Sequence, residues 1–334
     1  MKKGLFCRLF PILLLALAMA PGVGCGTIGK VTSATTSFTR SLYQKVRPSA
    51  AADSSGLKKR VFVLPPLNQS DLDGSRVQQI MDDFIARLEK DKGLLVKRMT
   101  EAPPSTTKLG SPDFGIVTDP DLAKAAEEEG MHVLITTVFS PFEIVAKKRG
   151  IWPFRKVKRD LEASMVVNAL DVANGTLFFS HLESGTVRIQ EDEEKDLWED
   201  EVTVDEKKLA TFDRDVLKRI NPKKYNKMWA EIVKDQVSEV RRGLRGHPWS
   251  GRILSFDGKT AIVNAGRDVG VSSGKVFEVF ERGDPVHSVT GRSFFLVGEK
   301  VGEIKTVAVQ DRYCSAVPLS GEGIRAGHIV RAKQ

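Results

Sequence analysis

Cysteine and histidine are scarce in this chain of 334 residues: there are three of the first and five of the second. Neither type recurs at a spacing that could hold a metal ion. His132, His181, His247, His287 and His328 are scattered, and none has a carboxylate placed beside it by spacing. Long apolar runs are also missing. Leu9–Ala20 is continuous and apolar but covers only twelve residues, against about 20 for a helix that crosses a bilayer, and no later segment is long and apolar enough. Charge of one sign does not dominate: 51 Lys and Arg stand against 43 Asp and Glu, a formal net charge of +8. That mild excess favours anionic surfaces without demanding nucleic acid. At 41% hydrophobic and 28% charged residues, the remainder can build a sizeable core, and the length suggests about two domains.

What is present begins at the front. Met1–Arg8 is basic, Leu9–Ala20 is apolar, and small residues follow as PGVGC. This is the layout of a secretory signal peptide. Ala18-Met19-Ala20 offers one cleavage site, but Pro21 would follow the scissile bond. The alternative is Gly24-Cys25, which resembles a bacterial lipoprotein signal, with Gly22 where such signals more often carry Leu. The resemblance implies cleavage before Cys25 and lipidation of its thiol. Loss of Lys2, Lys3 and Arg8 then leaves a net charge of about +5, Cys7 is removed, and Cys314 is left as a lone small core residue with no disulfide partner. The expected location is the periplasm, anchored to the outer membrane by Cys25.

The same stretch, GCGTIGKV (24–31), has the spacing of a phosphate-binding loop. That loop needs a preceding strand, a following helix and a hydroxyl where Val31 stands. The site reads as processing, not nucleotide binding. Residues 26–58 are rich in Ser, Thr, Ala and Lys and are expected to be a flexible tether, with a reach of roughly 30 Å.

Beyond the tether, RVFVLP (60–65) reads as a buried strand. Val77, Ile80, Met81, Phe84, Ile85 and Leu88 make one helical face, with Asp73 or Ser75 as cap and Gly93 as stop. LLVKRM (94–99) reads as a second strand. Asp119-Pro120 opens a helix that Gly130 stops, and 132–146 is expected to be one long strand. Two strands then flank the turn signal Asn174-Gly175. A long helix starts at Asn221-Pro222, with Tyr225, Trp229, Ile232, Val233, Val237, Val240 and Leu244 as its stripe. This order, with VFVLPPLNQS at its start and LDVANGTLFF in its hairpin, resembles a group of envelope domains. The group includes the middle domain of flagellar assembly protein T, the N-terminal domain of Tol-Pal translocation protein B, and lipoproteins of the curli-secretion and penicillin-binding-protein-activator kind.

From Pro248 on, glycine rises and short strands replace helices. Two related halves align, with Gly251 on Gly302, Ile253 on Ile304, Ala261 on Ala316, Gly274 on Gly327 and Val276 on Ile329. A small closed barrel follows from that repeat. The segment KTAIVNAGRDVGVSSGKVFEV (259–279) resembles the C-terminal domain of flagellar assembly protein T, an SH3-like barrel. The expected class is therefore α+β: an α/β sandwich domain (59–246), similar to the N-terminal domain of Tol-Pal protein B, then an SH3-like β-barrel (247–334), after a signal peptide (1–24) and a lipidated tether (25–58).

No catalytic residue, cofactor or metal is expected. GVSSG (270–274) fits a nucleophile-elbow pattern around Ser272, but an alternating strand, not a helix, follows it. Asp71–Gly74 lacks the distal Glu of a calcium loop. The stretch KKRGIWPFRKVKR (147–159) holds seven basic residues and no acidic one. It links two expected strands, so it reads as a hairpin tip. Lys147, Lys148, Arg149, Trp152, Phe154, Arg155 and Lys156 are candidates for contact with anionic lipid, peptidoglycan or an acidic partner. The plain alternative is a solvated hairpin folded onto the acidic stretch 191–206. An exported chain argues against nucleic acid, and seven charges argue against a membrane-inserted β-hairpin.

The function expected from these resemblances is a non-enzymatic assembly or scaffold component of an envelope machine, most closely the flagellar basal body. Its partners would be envelope proteins, with homo-oligomers open. The alternative is a lipoprotein that regulates a cell-wall synthase or serves an exopolysaccharide apparatus. The chain lacks room for the additional N-terminal domain of the flagellar family.

Overall fold

The computed structural model describes residues 55–99, 126–149, 156–190, 215–287 and 293–333. Strand β1, Lys59–Val63, is buried along its whole length, as expected for an apolar run covered on both faces. The pair Leu67–Asn68 forms a short β2. Helix α1, Gly74–Glu89, buries the six expected apolar side chains and no others. Asp73 occupies the cap position, but its side chain makes no cap bond. Its carbonyl instead accepts from the backbone of Arg76 and Val77. The chain turns through Asp91, which accepts from Gly93 N, and returns as β3, Leu94–Arg98, parallel to β1. Strand β4, Val133–Phe139, lies parallel on the other side of β1. Of the helix expected from Asp119, only its end at 126–128 is described, and Gly130 closes it with φ of +67°.

The single strand expected over 132–146 is two. Strand β4 stops at Phe139, and β5 runs from Glu143 to Arg149. Both pair antiparallel with one long strand, β6, Lys156–Asp171. Phe139 faces Met165 and Glu143 faces Glu162, so the first strand carries one residue more than its partner. Pro141 sits in that bulge, where its missing N–H costs no ladder bond. Strand β7, Leu177–Arg188, pairs with the opposite edge of β6. The turn between β6 and β7 has Gly175 at φ +71°, as Asn174-Gly175 predicts.

After a short α2, Asp215–Lys218, helix α3 runs from Pro222 to Gly246. Asn221 caps it by accepting from Lys223 N and Lys224 N, with proline at the first helical position. Its stripe is buried from Met228 to Leu244, and Tyr225 is half-buried. Each fully buried apolar side chain of this kind stabilises by about 1.5–3 kcal/mol. The helix lies on β7 because Gly243 leaves room for the Phe179 ring and Gly185 for Met228 and Ile232.

The second unit is a closed barrel of six strands: β8 (Ser250–Phe256), β9 (Ala261–Val263), β10 (Val276–His287), β11 (Ser293–Val309), β12 (Cys314–Gly321) and β13 (Ile329–Ala332), in ring order β10-β11-β12-β9-β8-β13. Exchanging β8, β9 and β10 for β11, β12 and β13 reproduces the same ring read backwards. The internal repeat is therefore real in the fold. Ala261 pairs directly with Ala316, and Gly274 and Gly327 both adopt left-handed backbone, at φ +84° and +89°. Ile253, Phe277, Ile304 and Val330 fill the barrel interior.

The end of the expected tether is not free. Leu57 is buried in the barrel core, Lys58 N donates to Val269 O, and Ser55 O accepts from Lys275 Nζ. A leucine that close to the first strand covers apolar barrel surface, and that burial outweighs the entropy of a free chain end. Among the described residues, no helix is long and apolar enough to cross a membrane.

Candidate functional site

The most constructed polar region is the junction where the sheet meets the barrel. Arg60 lies inside the apolar strand β1 and is only 4% exposed. Its Nε and Nη2 donate to Asp268 Oδ2 and Oδ1, both at 2.8 Å. Its other N–H groups donate to the carbonyls of Gly130, Asn264 and Arg312 at 2.8–3.0 Å. All five donors of the guanidinium are thus satisfied. Asp268 is held in a 3₁₀ turn, Arg267–Val269. Gly266 precedes it, where a Cβ would collide with the Asp311 carbonyl, and Gly270 follows it at φ +90°. Burial raises the Asp268 carboxyl, but the Arg60 hydrogen bond and charge outweigh it and hold it below the usual range.

His132 extends this junction. Its Nδ1 accepts from Arg60 N at 3.1 Å, and its ring meets Trp249 edge-on at 5.0 Å. Burial, then the positive charge of Arg60, pushes the His132 imidazole down to about 3, so it is neutral at physiological pH. Trp249 is itself buried and donates from Nε1 to Lys58 O. Nearby, Asp171 at the end of β6 accepts from His247 Nε2 at 2.9 Å, from Ser250 Oγ and from Ala173 N. Burial alone would raise the Asp171 carboxyl, and these hydrogen bonds together with the His247 charge bring it below its ordinary value. His247 stacks on Phe178 with ring centroids 3.9 Å apart.

Serine, histidine and aspartate therefore meet here, but in the wrong order for acyl transfer. A nucleophilic relay places the imidazole between hydroxyl and carboxylate, whereas the Ser250 hydroxyl donates to Asp171 itself. The three join β6 to the start of the barrel. Two further contacts cross the junction: Arg252 pairs with Glu127, and Phe295 N on β11 donates to Asn174 O in the β6–β7 turn at 2.7 Å.

The candidate contact residues lie elsewhere. Lys147, Lys148 and Arg149 end β5, and Lys156 begins β6. The register pairs Lys147 with Lys158 and Arg149 with Lys156, so the hairpin stem expected from the sequence is present. Trp152, Phe154 and Arg155 lie outside the described residues, as do Cys25 and the acidic stretch 191–206. Ser272 precedes strand β10, and its carbonyl accepts from Thr306 Oγ1. Among the described residues no group of three or more His, Cys, Asp or Glu could hold a metal ion.

Sequence reasoning missed the junction. Arg60 stands before an apolar run and Asp268 lies in a glycine-flanked turn, and nothing local to either announces a partner so far along the chain. The one available signal is the pair of glycines around Arg267-Asp268-Val269, which marks a tight turn without saying what it holds.

No protein-family description matches the chain. An uncharacterized protein of Aquifex aeolicus (strain VF5) is 26% identical over 107 residues, covering 32% of this chain and 20% of that protein. The chain thus spans about a fifth of the length of the curated relative it matches. Among solved structures, the hypothetical protein CT253 from Chlamydia trachomatis is similar at 10% identity and TM-score 0.32, over 55% of this chain and 98% of that one. Lipoprotein GNA1162 from Neisseria meningitidis is similar at 18% identity and TM-score 0.27, over 39% of this chain and 83% of that one. The LpoB C-terminal domain from Salmonella enterica is similar at 12% identity and TM-score 0.26, over 40% and 86%. At such scores the fold rests on the strand pairing described above and not on these likenesses.

Proposed function

We propose that this chain is a lipid-anchored, non-enzymatic scaffold component of an envelope assembly, held to the outer membrane through Cys25 and working in the periplasm. The observation that carries the reading is the junction. The buried Arg60, Asp171 and Trp249 are engaged in joining the sheet to the barrel, His132 packs its ring against Trp249, and the chain that leads back to Cys25 is fixed to that same barrel through Leu57 and Lys58. Such a body transmits position from an anchor to a partner, and its buried polar groups are spent on rigidity. The flagellar basal body is the machine we assign, because residues 259–279, which supply Asp268 and its turn, carry the likeness to flagellar assembly protein T.

Two experiments test this. Globomycin should cause a larger precursor to accumulate, and Cys25→Ser should release the protein from membranes; failure of both removes the lipid anchor. Deletion of the gene should impair motility, and the protein should co-purify with basal-body rings. Normal motility with co-purification of cell-wall synthases would replace the flagellar assignment with a regulatory one.

A further inference from the structure

Strands β8, β13 and β10 lie side by side in the barrel wall. Ile253, Val330, Phe277 and Val279 belong to the barrel core, so alternation turns Arg252, Ile329, Arg331 and Phe280 outward. The register sets Arg252 opposite Ile329, and Ile329 opposite Phe280. Arg331 reaches back over that row, with its guanidinium 5.2 Å from the centre of the Phe280 ring. Arg282, two residues beyond Phe280 on β10, lies over the Phe295 ring of β11 at 3.5 Å.

The charges of these arginines are poorly matched. Arg252 pairs with Glu127. Glu278, opposite Arg331 in the register, is held by Lys300 at 2.6 Å. Among the described residues, Arg282 and Arg331 make no hydrogen bond and no ion pair, and the exposed Glu281 pairs with neither. The Nε of all three arginines is buried without a hydrogen-bond partner. Burial, then the charge of Arg282, brings Arg252 down to about 10, and burial lowers Arg282 as well. Half-dry cations that act on one another in this way are relieved by an added anion.

The rings account for the orientation of the guanidinium groups but not for their charge. A phenyl ring supports a guanidinium through its face, which leaves the in-plane N–H edge free to donate as a fork. The Nη atoms of Arg282 and Arg331 stay open to solvent. Such forks fit carboxylates and phosphates, and charge selects between the two. A carboxylate offsets one guanidinium. A phosphate monoester carries about −1.5 to −2 at neutral pH and three acceptor oxygens, enough for the two arginines that lack a partner.

We infer that the outer face of β10 and β13 is a binding site for a phosphate monoester, with Arg282 and Arg331 donating to the phosphate and Arg252 as a third charge beside them. The site lies within the barrel and does not depend on the lipid anchor.

The test titrates glycerol 3-phosphate into the purified chain from residue 25 onward with Cys25→Ser, by calorimetry at constant ionic strength. Binding should be saturable, and acetate should bind about tenfold more weakly or worse. Arg282→Gln combined with Arg331→Gln should weaken binding by about tenfold or more at unchanged circular dichroism. Should that pair unfold the barrel, Arg282→Lys with Arg331→Lys keeps both charges and loses the forks, and a clear loss of affinity is still expected. Neutralising Lys90 and Lys92, which follow α1 in the sheet domain, should leave binding intact. Absence of saturable binding, equal affinity for acetate, full affinity in the arginine variants, or equal loss in the Lys90 and Lys92 control would each overturn the inference. Vesicles containing phosphatidic acid identify the source of the phosphate. Sedimentation with them that glycerol 3-phosphate reverses assigns a lipid headgroup, and binding of the soluble ester alone assigns a free phosphorylated compound.

Discussion

Arg60 and Asp268 are 208 residues apart in sequence and meet in a fork of two hydrogen bonds, each 2.8 Å long. One partner belongs to the central part of the sheet and the other to a turn of the barrel. Arg60 is nearly inaccessible, whereas Asp268 keeps about a third of its side chain in contact with water. The cost of burying charge therefore falls mainly on the arginine, and three backbone carbonyls share in offsetting it.

Removing the arginine should be expensive. Arg60→Met leaves three carbonyls of the junction without their donor and Asp268 without its counter-charge. Loss of one member of a buried, fully hydrogen-bonded pair costs about 3–5 kcal/mol, and the partial exposure of Asp268 places the expectation near the lower bound. Asp268→Asn keeps one acceptor and should cost about 1–2 kcal/mol. Urea unfolding at neutral pH measures both. Equal stability of Arg60→Met and the parent chain would show that the junction is ornamental.

Acid should weaken the protein in two stages. His132 has its folded value depressed to about 3 from the ordinary 6.5, so the unfolded chain binds a proton between those limits that the folded chain does not. Stability contributed by the neutral histidine is full above pH 6.5 and falls as pH drops toward 3, by up to about 1.4 kcal/mol per pH unit. Asp171 and Asp268 act lower down. Their folded values lie below the ordinary 3.8, so their contribution is complete above that pH and is lost as pH falls through the folded values. His132→Gln keeps an acceptor for Arg60 N and cannot titrate. Its stability between pH 6 and pH 4.5 should be flatter than that of the parent, as followed by thermal melts across that interval.

The elements that depend on local pattern were readable from sequence, while those that depend on distant pairing were not. The face of α1 and the stripe of α3 follow from helical spacing, and the cap at Asn221 and the turn at Gly175 follow from residue type. Pro141 was visible in the sequence as well, but a proline inside an apolar run is compatible with a strand that ends or with a bulge along one edge, and only the register with β6 shows the one-residue bulge. The basic stem was legible because its charges are contiguous. Its cross-strand matching, Lys147 with Lys158 and Arg149 with Lys156, required the register. The junction was invisible for a different reason: its parts, Arg60, His132, Asp171, Trp249 and Asp268, are single residues in five separate segments.

Gly243 offers a test in which two effects oppose each other. Alanine in a helix interior is favoured over glycine by about 1 kcal/mol. A Cβ at this position, however, would lie 2.3 Å from Cδ2 of the buried Phe179 ring, and overpacking of a core costs about 1–3 kcal/mol. The ring is stiff and held between α3 and β7, so the steric cost should win. Gly243→Ala is expected to destabilise by about 1 kcal/mol, and Gly243→Ala with Phe179→Leu should recover part of it. Denaturant midpoints of the two variants decide this.

Cys314 reports whether sheet and barrel open together. The thiol is buried between β11 and β9 and pushed up to about 12 by desolvation. At pH 8 only about one folded molecule in ten thousand carries the reactive thiolate. In the Cys25→Ser chain without its signal segment, Cys314 is the sole thiol, so alkylation follows opening of the barrel. The native protein should label slowly at pH 8, at a rate set by unfolding. If the Arg60–Asp268 fork stabilises the barrel as well as the sheet, Arg60→Met should accelerate labelling by about tenfold or more, since each 1.4 kcal/mol lost multiplies the open population tenfold. Unchanged labelling beside a clear drop in sheet stability would mean that the barrel unfolds on its own and that the fork serves only to orient it.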